Sequence, residues 1–334
     1  WGLHVVRRWA TFAHALRRCC AAPAEIRAVR RAPAASQGRF GHAPSQHPPS
    51  ETKMSYSRID VKPVAGAIGA EIFGVDVSRP IDDATLAEIH RAHLEYMVIF
   101  FRDQDITDEQ LAAFGSRFGQ LAPLPPHRQF PGKFPELLVI DKKPEDKLVF
   151  GWEWHSDTTH LEVPSLGSVL YAKVIPPVGG DTLFANQYMA YDTLSPGMQK
   201  LLSGMRAVHS NGRILMSLEE NRVLAASEPG AVKYATGSTT HPVVRTHPET
   251  GRKALYVNEL HTERFEDMTF EESQPLLQFL YRHSTRPEFS CRFRWQVGSI
   301  AFWDNRCCQH LALNDYPGHR RLMHRVQVKG TRPV

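Results

Sequence analysis

Beyond residue 54 the apolar residues of this chain come in short runs of β-branched and aromatic side chains, cut apart by proline and glycine. Ile59–Val64 and Ile68–Val77 are punctuated by Gly66, Gly69 and Gly74, and Met97–Phe101, Val169–Val174, Asp181–Ala185, Leu255–Asn258, Cys291–Trp295, Ser299–Trp303 and Leu322–Val328 follow. Runs of this length and composition read as strands. So many of them, separated by turn residues, predict a mainly β fold with peripheral helices, an antiparallel sandwich or barrel. The helices are marked by face and cap. Ala84–Tyr96 places Leu86, Ile89 and His93 on one side. Thr107 and Gln110 form a capping box, each side chain satisfying the other's orphan amide, ahead of a helix that turns Leu111, Phe114 and Phe118 inward. Ser195-Pro196 opens another helix that Gly204 can end, and Thr269–Glu272 a third, whose first turns Pro275 weakens. With no internal repeat, 54–334 reads as a single domain.

The first 53 residues break this pattern. They are rich in Ala, Arg, Pro, His and Ser and end in the linker-like Ala43-Pro-Ser-Gln-His-Pro-Pro-Ser50. Eight arginines and Lys53 against Glu25 and Glu51 put +7 on residues 1–53, so an overall net charge of +5 leaves the other 281 residues at −2. A basic excess confined to one tail, with no basic stripe interleaved with aromatics in the body, argues against nucleic acid as a partner. An arginine-rich, acid-poor front can serve as an organelle transit peptide. The simpler expectation is a disordered basic extension, or translated sequence ahead of a start at Met54. No stretch nears the roughly 18 uninterrupted apolar residues of a membrane span. Cys19-Cys20, Cys291 and Cys307-Cys308 make an odd number with no spaced framework, which fits a reducing, cytoplasmic compartment.

The strongest local chemistry is in Trp152-Glu-Trp-His155-Ser-Asp157. Residues i and i+2 of an extended segment project to the same side, so an imidazole and a carboxylate there can reach one ion. A third ligand must come from elsewhere, and nine later histidines offer themselves. His310 stands out by context: it follows the apolar run Ser299–Asp304 and precedes another strand by a short loop, and loops at strand ends are where sites form. Two histidines and one carboxylate on one flank of an ion leave the other flank open, which suits non-haem Fe(II).

On the strand that follows, Arg321, Met323, Arg325 and Gln327 share one face, and Leu322, His324, Val326 and Val328 the other. The two arginines stand about 13 Å apart at a rise of about 3.3 Å per residue, far enough to hold separate anions, and guanidinium suits bidentate carboxylate or sulfonate recognition. Thr182, after Gly179-Gly-Asp181, supplies a hydroxyl at the start of a strand. Cys307-Cys308 lacks further cysteines at zinc spacing and reads as small buried side chains. His209, His241 and His247 read as structural.

These pieces occur in an order that resembles the taurine dioxygenase family of Fe(II)/2-oxoglutarate oxygenases. The resemblance runs from about Ser57 to the C-terminus. It is carried by Phe100-Phe-Arg-Asp-Gln104, Trp154-His-Ser-Asp157, Gly179-Gly-Asp-Thr182, His241-Pro-Val-Val-Arg-Thr-His-Pro248, Gly251-Arg-Lys-Ala-Leu-Tyr-Val-Asn-Glu259, Trp303-Asp-Asn-Arg306, Gln309-His310 and Arg320-Arg-Leu-Met-His-Arg325. It implies a double-stranded β-helix (jelly-roll) core, Fe(II) held by His155, Asp157 and His310, and 2-oxoglutarate with its far carboxylate on Arg321 and Thr182. It also implies O2 as cosubstrate, a small anionic organic substrate gripped by Arg325, and a homo-oligomeric (dimeric or tetrameric) assembly.

Where taurine-cleaving members carry a sulfonate-binding histidine, this chain has Leu124. His127 falls where they carry a tyrosine, and His261 where they carry a pocket phenylalanine. The implied reaction is therefore hydroxylation of a carbon beside a sulfonate or sulfate ester rather than of taurine itself, giving succinate and CO2, with an aryloxyacetate-type carboxylate as the alternative substrate. Two other classes stay open on the ligand set alone: a metal-dependent hydrolase using the same triad with activated water, and a non-catalytic jelly-roll binding protein.

Overall fold

In the computed structural model, which describes residues 55–124, 129–213 and 237–334, the chain runs in order through twenty helices and strands. The first ten are β1 (Asp60–Pro63), β2 (Ala70–Phe73), α1 (Asp83–Tyr96), β3 (Val98–Phe101), α2 (Asp108–Ser116), β4 (Leu138–Lys142), β5 (Ser165–Val174), β6 (Thr182–Asn186), α3 (Gln187–Asp192) and α4 (Pro196–Leu202). The remainder are β7 (Arg206–Ser210), β8 (Ser238–Pro242), β9 (Val244–Thr246), β10 (Lys253–Leu255), β11 (Thr262–Phe265), α5 (Phe270–Ser284), β12 (Ser290–Phe293), β13 (Ile300–Asp304), β14 (Cys308–Ala312) and β15 (Arg321–Lys329). Residues 1–53 and His127 lie outside the described residues. No described helix is long and apolar enough to cross a membrane.

Seven strands form the main sheet, ordered β1-β2-β3-β13-β5-β15-β4 and antiparallel except for β2 beside β3. Its central strands bury both faces, which is why they read as unbroken apolar runs. Phe100, Leu170, Ala301, Trp303 and Met323 point into a core shared with Phe184 of β6, Phe293 of β12 and Cys308 of β14. Their alternating neighbours Ile99, Phe101, Val169, Tyr171, Ile300, Phe302 and Val326 meet Ile89 and Ala92 of α1 and Leu111 and Phe114 of α2. The first core therefore lies between the main sheet and the three-stranded sheet β12-β6-β14, where the Phe100 and Phe293 rings stack at 3.9 Å. The mainly β expectation with peripheral helices holds.

Local differences have local causes. Met97, expected to begin a strand, instead closes α1 in the left-handed region at φ 62°. The strand predicted over Leu255–Asn258 ends at Leu255, and the Asn258 carboxamide accepts from the His261 amide at 2.9 Å, turning the chain. His310, expected on a loop, sits in the middle of β14 opposite Phe184. The expected capping box of Thr107 with Gln110 forms, a second joins Thr269 and Glu272 at the start of α5, and α5 continues through Pro275.

Gly167 marks the tightest approach within the main sheet. It faces Asp304 of β13, and a Cβ there would lie 2.5 Å from the Trp303 carbonyl oxygen, a backbone atom that moves only with its strand. Gly167→Ala should destabilise the protein by roughly 1–3 kcal/mol, the usual cost of overpacking a rigid site, read as a lower urea midpoint at unchanged slope. An unaltered midpoint would mean that β5 and β13 can part without cost.

Candidate metal centre and its cavity

The two histidines of the expected triad meet through the backbone. His155 forms an isolated antiparallel bridge with His310, its N–H donating to the His310 carbonyl at 3.1 Å and its carbonyl accepting from the His310 N–H at 2.8 Å. Side chains directly opposite in such a pair lie on the same face, and the two imidazoles stand 4.1 Å apart between centroids. Asp157 follows after one intervening residue, and the chain turns away at Thr158, φ 58°. Asp157 Oδ1 lies 3.8 Å from His155 Nε2 and 4.0 Å from His310 Nε2. The three donor atoms all fall within 4.8 Å of one another, and all three residues are buried.

Protonation favours a cation. The His155 Nδ1 lies 2.7 Å from the Glu153 carbonyl oxygen. A carbonyl can only accept, so the proton sits on Nδ1 and the Nε2 lone pair faces its partners. Burial pushes both imidazoles down, His310 well below its ordinary value, so they are neutral near pH 7. Burial raises the Asp157 carboxyl, but the Arg325 guanidinium, then His310, His155 and the Ser168 hydroxyl, outweigh it and hold the group well below the usual carboxylate range. Two neutral imidazoles and an ionised carboxylate are the ligating charge states, and for His155 the tautomer is the ligating one as well. The residues present therefore fit a divalent transition metal.

His155 and His310 open on a narrow cavity of ≈ 30 Å³ lined also by Ile140, Phe150, Leu170, Thr182, Arg321 and Arg325 among others. Arg321 is 4% exposed, yet its Nε and Nη2 have no hydrogen-bond partner. Arg325 Nη1 donates to Asp157 Oδ1 at 2.9 Å, while its Nε is buried and unpartnered. The Thr182 hydroxyl oxygen accepts from Trp295 Nε1 at 2.9 Å, which leaves its own proton to donate. The Gly179-Gly180 turn before it cannot carry side chains: Gly179 has φ +82°, and a Cβ there would meet the Asp315 backbone oxygen at 2.8 Å. A buried cation without an acid is costly. Arg321 is such a group, and Arg325, although paired with Asp157, keeps an unpartnered Nε, so an anion entering the cavity would find donors at both.

The other sequence candidates are placed less centrally. His261 is buried 6.3 Å from the His155 ring, and burial takes it down to about 3, so it can meet a ligand only as a neutral imidazole. Leu124 is buried beside the loop that leads to β4, its N–H on the Pro135 carbonyl at 2.7 Å, and it is not part of the cavity wall. Sequence reasoning missed Ser168 and Asn305, both bonded to Asp157, and the apolar wall of Ile140, Phe150 and Leu170. The signal for Ser168 was a small hydroxyl immediately ahead of the apolar run Val169–Val174. A larger cavity of ≈ 390 Å³ beside His90, His93 and Glu249 contains none of the triad.

A second cluster, His247, Asp304 and Cys307, also has ligand atoms within 4.8 Å. Its chemistry differs. Both Asp304 oxygens are engaged by Arg306, at 2.8 and 2.7 Å, and Oδ2 lies 3.0 Å from His247 Nε2. Burial holds the Cys307 thiol well above its ordinary value, so no thiolate is on offer. That cluster is an ion-paired anchor for the turn after β13.

Two imidazoles and a carboxylate converge to positions from which they could hold one metal ion, beside two buried guanidiniums that could receive anions. The model of the Taurine catabolism dioxygenase TauD, TfdA family matches residues 60–327, and the chain belongs to this family of dioxygenases. It is 37% identical over 285 residues to an alpha-ketoglutarate-dependent sulfate ester dioxygenase of Pseudomonas putida, covering 83% of this chain and 91% of the relative. It is 33% identical to an alkylsulfatase of Acinetobacter baylyi, covering 82% and 86% respectively. Among solved structures, a putative alpha-ketoglutarate-dependent taurine dioxygenase from Burkholderia xenovorans superposes with a TM-score of 0.71 at 38% identity, covering 83% of this chain and 94% of that one.

Mn(II) binding to the folded state should raise the melting temperature, by an amount equivalent to about 2.7 kcal/mol at a hundredfold excess over Kd. His155→Ala, Asp157→Ala and His310→Ala should each abolish most of that gain in a thermal-shift titration. A full Mn(II) response in His310→Ala would remove that residue from the ligand set.

Proposed function

We propose that the chain is an Fe(II)- and 2-oxoglutarate-dependent dioxygenase that hydroxylates a carbon of a small anionic substrate, a sulfate ester or sulfonate in preference to taurine. The oxygenase domain is assigned to residues 54–334, and the two facing sheets around the triad are read as a double-stranded β-helix. The observation that carries the reading is the buried Arg321, with Nε and Nη2 unpartnered, lining the same cavity as His155 and His310 of the triad. When bound, the ferrous ion and 2-oxoglutarate supply the oxidising power: O2 is consumed, the keto acid becomes succinate and CO2, and one oxygen atom enters a substrate C–H bond.

The residues of the chain then act by charge, hydrogen bonding and exclusion. Arg321 and the Thr182 hydroxyl hold the far carboxylate of the keto acid. Arg325 offers its free Nε to the substrate's anion, and Ile140, Phe150 and Leu170 exclude water from the reacting carbon. Charge balance supports a singly charged substrate. Asp157 against Arg321 and Arg325 leaves one positive charge. A divalent metal adds two, and the keto acid removes two. One more negative charge neutralises the cavity, as a sulfate ester, sulfonate or aryloxyalkanoate provides. Taurine, a zwitterion, adds no net negative charge and brings an ammonium group into a cavity lined by two arginines. Hydroxylation of the carbon bearing a sulfate or sulfonate gives an adduct that collapses to an aldehyde and free sulfate or sulfite.

Anaerobic loading with Fe(II) and 2-oxoglutarate, followed by O2 and a panel of alkyl sulfates, alkylsulfonates, aryloxyalkanoates and taurine, tests this directly. Succinate should rise above the uncoupled background with the monoanions and least with taurine, and equal turnover of taurine would overturn the substrate assignment. Arg321→Ala should raise the KM for 2-oxoglutarate, and Arg325→Ala chiefly that for the primary substrate, each by the equivalent of about 2–5 kcal/mol. If both variants moved only the primary substrate, the assigned division of roles would be wrong.

A further inference from the structure

Asp157 has two carboxylate oxygens, and their surroundings differ sharply. Oδ1 faces His155 Nε2, His310 Nε2 and Arg325. Oδ2 faces away and accepts from the Ser168 hydroxyl at 2.7 Å and from Asn305 Nδ2 at 3.4 Å. The orientation of the Asn305 amide follows from its donors: the Asp157 N–H and the Trp303 indole N–H both point at Oδ1, each at 3.0 Å. Its NH2 must therefore face Asp157 Oδ2, Ser165 Oγ and Ser168 Oγ. Ser168 spends its single proton on Asp157 and takes Asn305 Nδ2 and Gln327 Nε2 on its lone pairs. Asn305 and Ser168 are both fully buried, and every hydrogen-bonding position of the Ser168 hydroxyl is used.

We infer that Asn305 and Ser168 are positioning residues that saturate the outer oxygen of Asp157, so that the carboxylate offers the metal one oxygen only. This rests on the metal-centre reading above. A carboxylate free to rotate can chelate through both oxygens and take an extra coordination position, one that a bidentate keto acid and O2 need. With Oδ2 occupied by two donors, that swing costs both bonds. Asn305 reaches the carboxylate from the turn after β13, and that turn is fixed by the buried Asp304–Arg306–His247 cluster. Ser168 reaches it from the middle of β5. The ligand is thus held from two strands that are themselves paired. Groups that orient metal ligands in this way commonly change metal affinity 10- to 100-fold when removed.

The test is an anaerobic Co(II) titration of wild type, Ser168→Ala, Asn305→Ala and Ser168→Thr, reading the dissociation constant and the visible d–d spectrum. 2-Oxoglutarate affinity is then measured on each Co(II) form. Ser168→Ala and Asn305→Ala should bind Co(II) about 10- to 100-fold more weakly, with an altered spectrum and weaker keto-acid binding. Ser168→Thr, which keeps the hydroxyl, should recover most of the loss. Folded Ser168→Ala with the wild-type constant and spectrum would overturn the inference. So would loss of the fold in Ser168→Ala, since the hydroxyl would then serve the core rather than the ligand. Failure of the wild type itself to bind Co(II), with Asp157→Ala unchanged from it, would instead strike the metal-centre reading.

Discussion

Two backbone hydrogen bonds tie the segment around residue 155 to the middle of β14, one from each of His155 and His310 to the other's carbonyl. Strand pairing fixes register, and a shift of one residue would throw both imidazoles to the opposite face. The bridge therefore does what sequence proximity cannot: it places two residues 155 positions apart side by side. Asp157 follows because only one residue separates it from the bridge, and the left-handed turn at Thr158 carries the chain away immediately afterwards. Phe184, paired with His310 across β6, ties that register to the core between the sheets.

Around this bridge the protein accepts electrostatic cost. Arg321 loses hydration without gaining an acid, and Arg325 shares the oxygen of Asp157 that faces the imidazoles. A hydrophobic replacement of Arg321 would remove a buried charge that no acid compensates, whereas loss of Arg325 would strand the Asp157 carboxylate. The expense is understandable if both positions are completed by anions that arrive from outside, because donors already desolvated and aimed need no rearrangement when the ligand enters. The double glycine turn ahead of Thr182 serves the same end by letting the backbone pass close to Asp315 and beside the Arg321 stem.

How much of this could be read from the chain itself depends on the range of the interaction. Caps and strands are local: the Thr107–Gln110 and Thr269–Glu272 boxes, the two-sided burial of Val98–Phe101 and the shared face of Arg321 and Arg325 all follow from spacing. The Met97 and Asn258 departures are local too, but they turn on backbone torsion and on a side chain capturing an amide, which apolar periodicity does not register. His310 was found by its neighbours in the chain and by resemblance, although the element beneath it is a strand rather than a loop. Ser168 and Asn305 have no motif that names their partner. Their role exists only once β5 and β13 are paired and the 155–157 segment lies across them.

The two His/Asp clusters show why proximity of ligand-type atoms is a weak criterion by itself. Both are buried, and both bring their donor atoms within 4.8 Å. In one, an arginine grips both oxygens of Asp304, the histidine bonds to one of them, and the thiol keeps its proton, so no lone pair is left for an ion. In the other, hydrogen-bond donors saturate only the outer oxygen of Asp157, the single arginine at the inner oxygen is the one assigned to an incoming anion, and the His155 proton is fixed on the far nitrogen. The decisive quantity is which lone pairs remain unspent after the protein's own hydrogen bonds have been counted. On that count the Asp304 cluster can only hold a turn in place. The Asp157 cluster, steadied by that turn through Asn305, is the one with coordination capacity to offer.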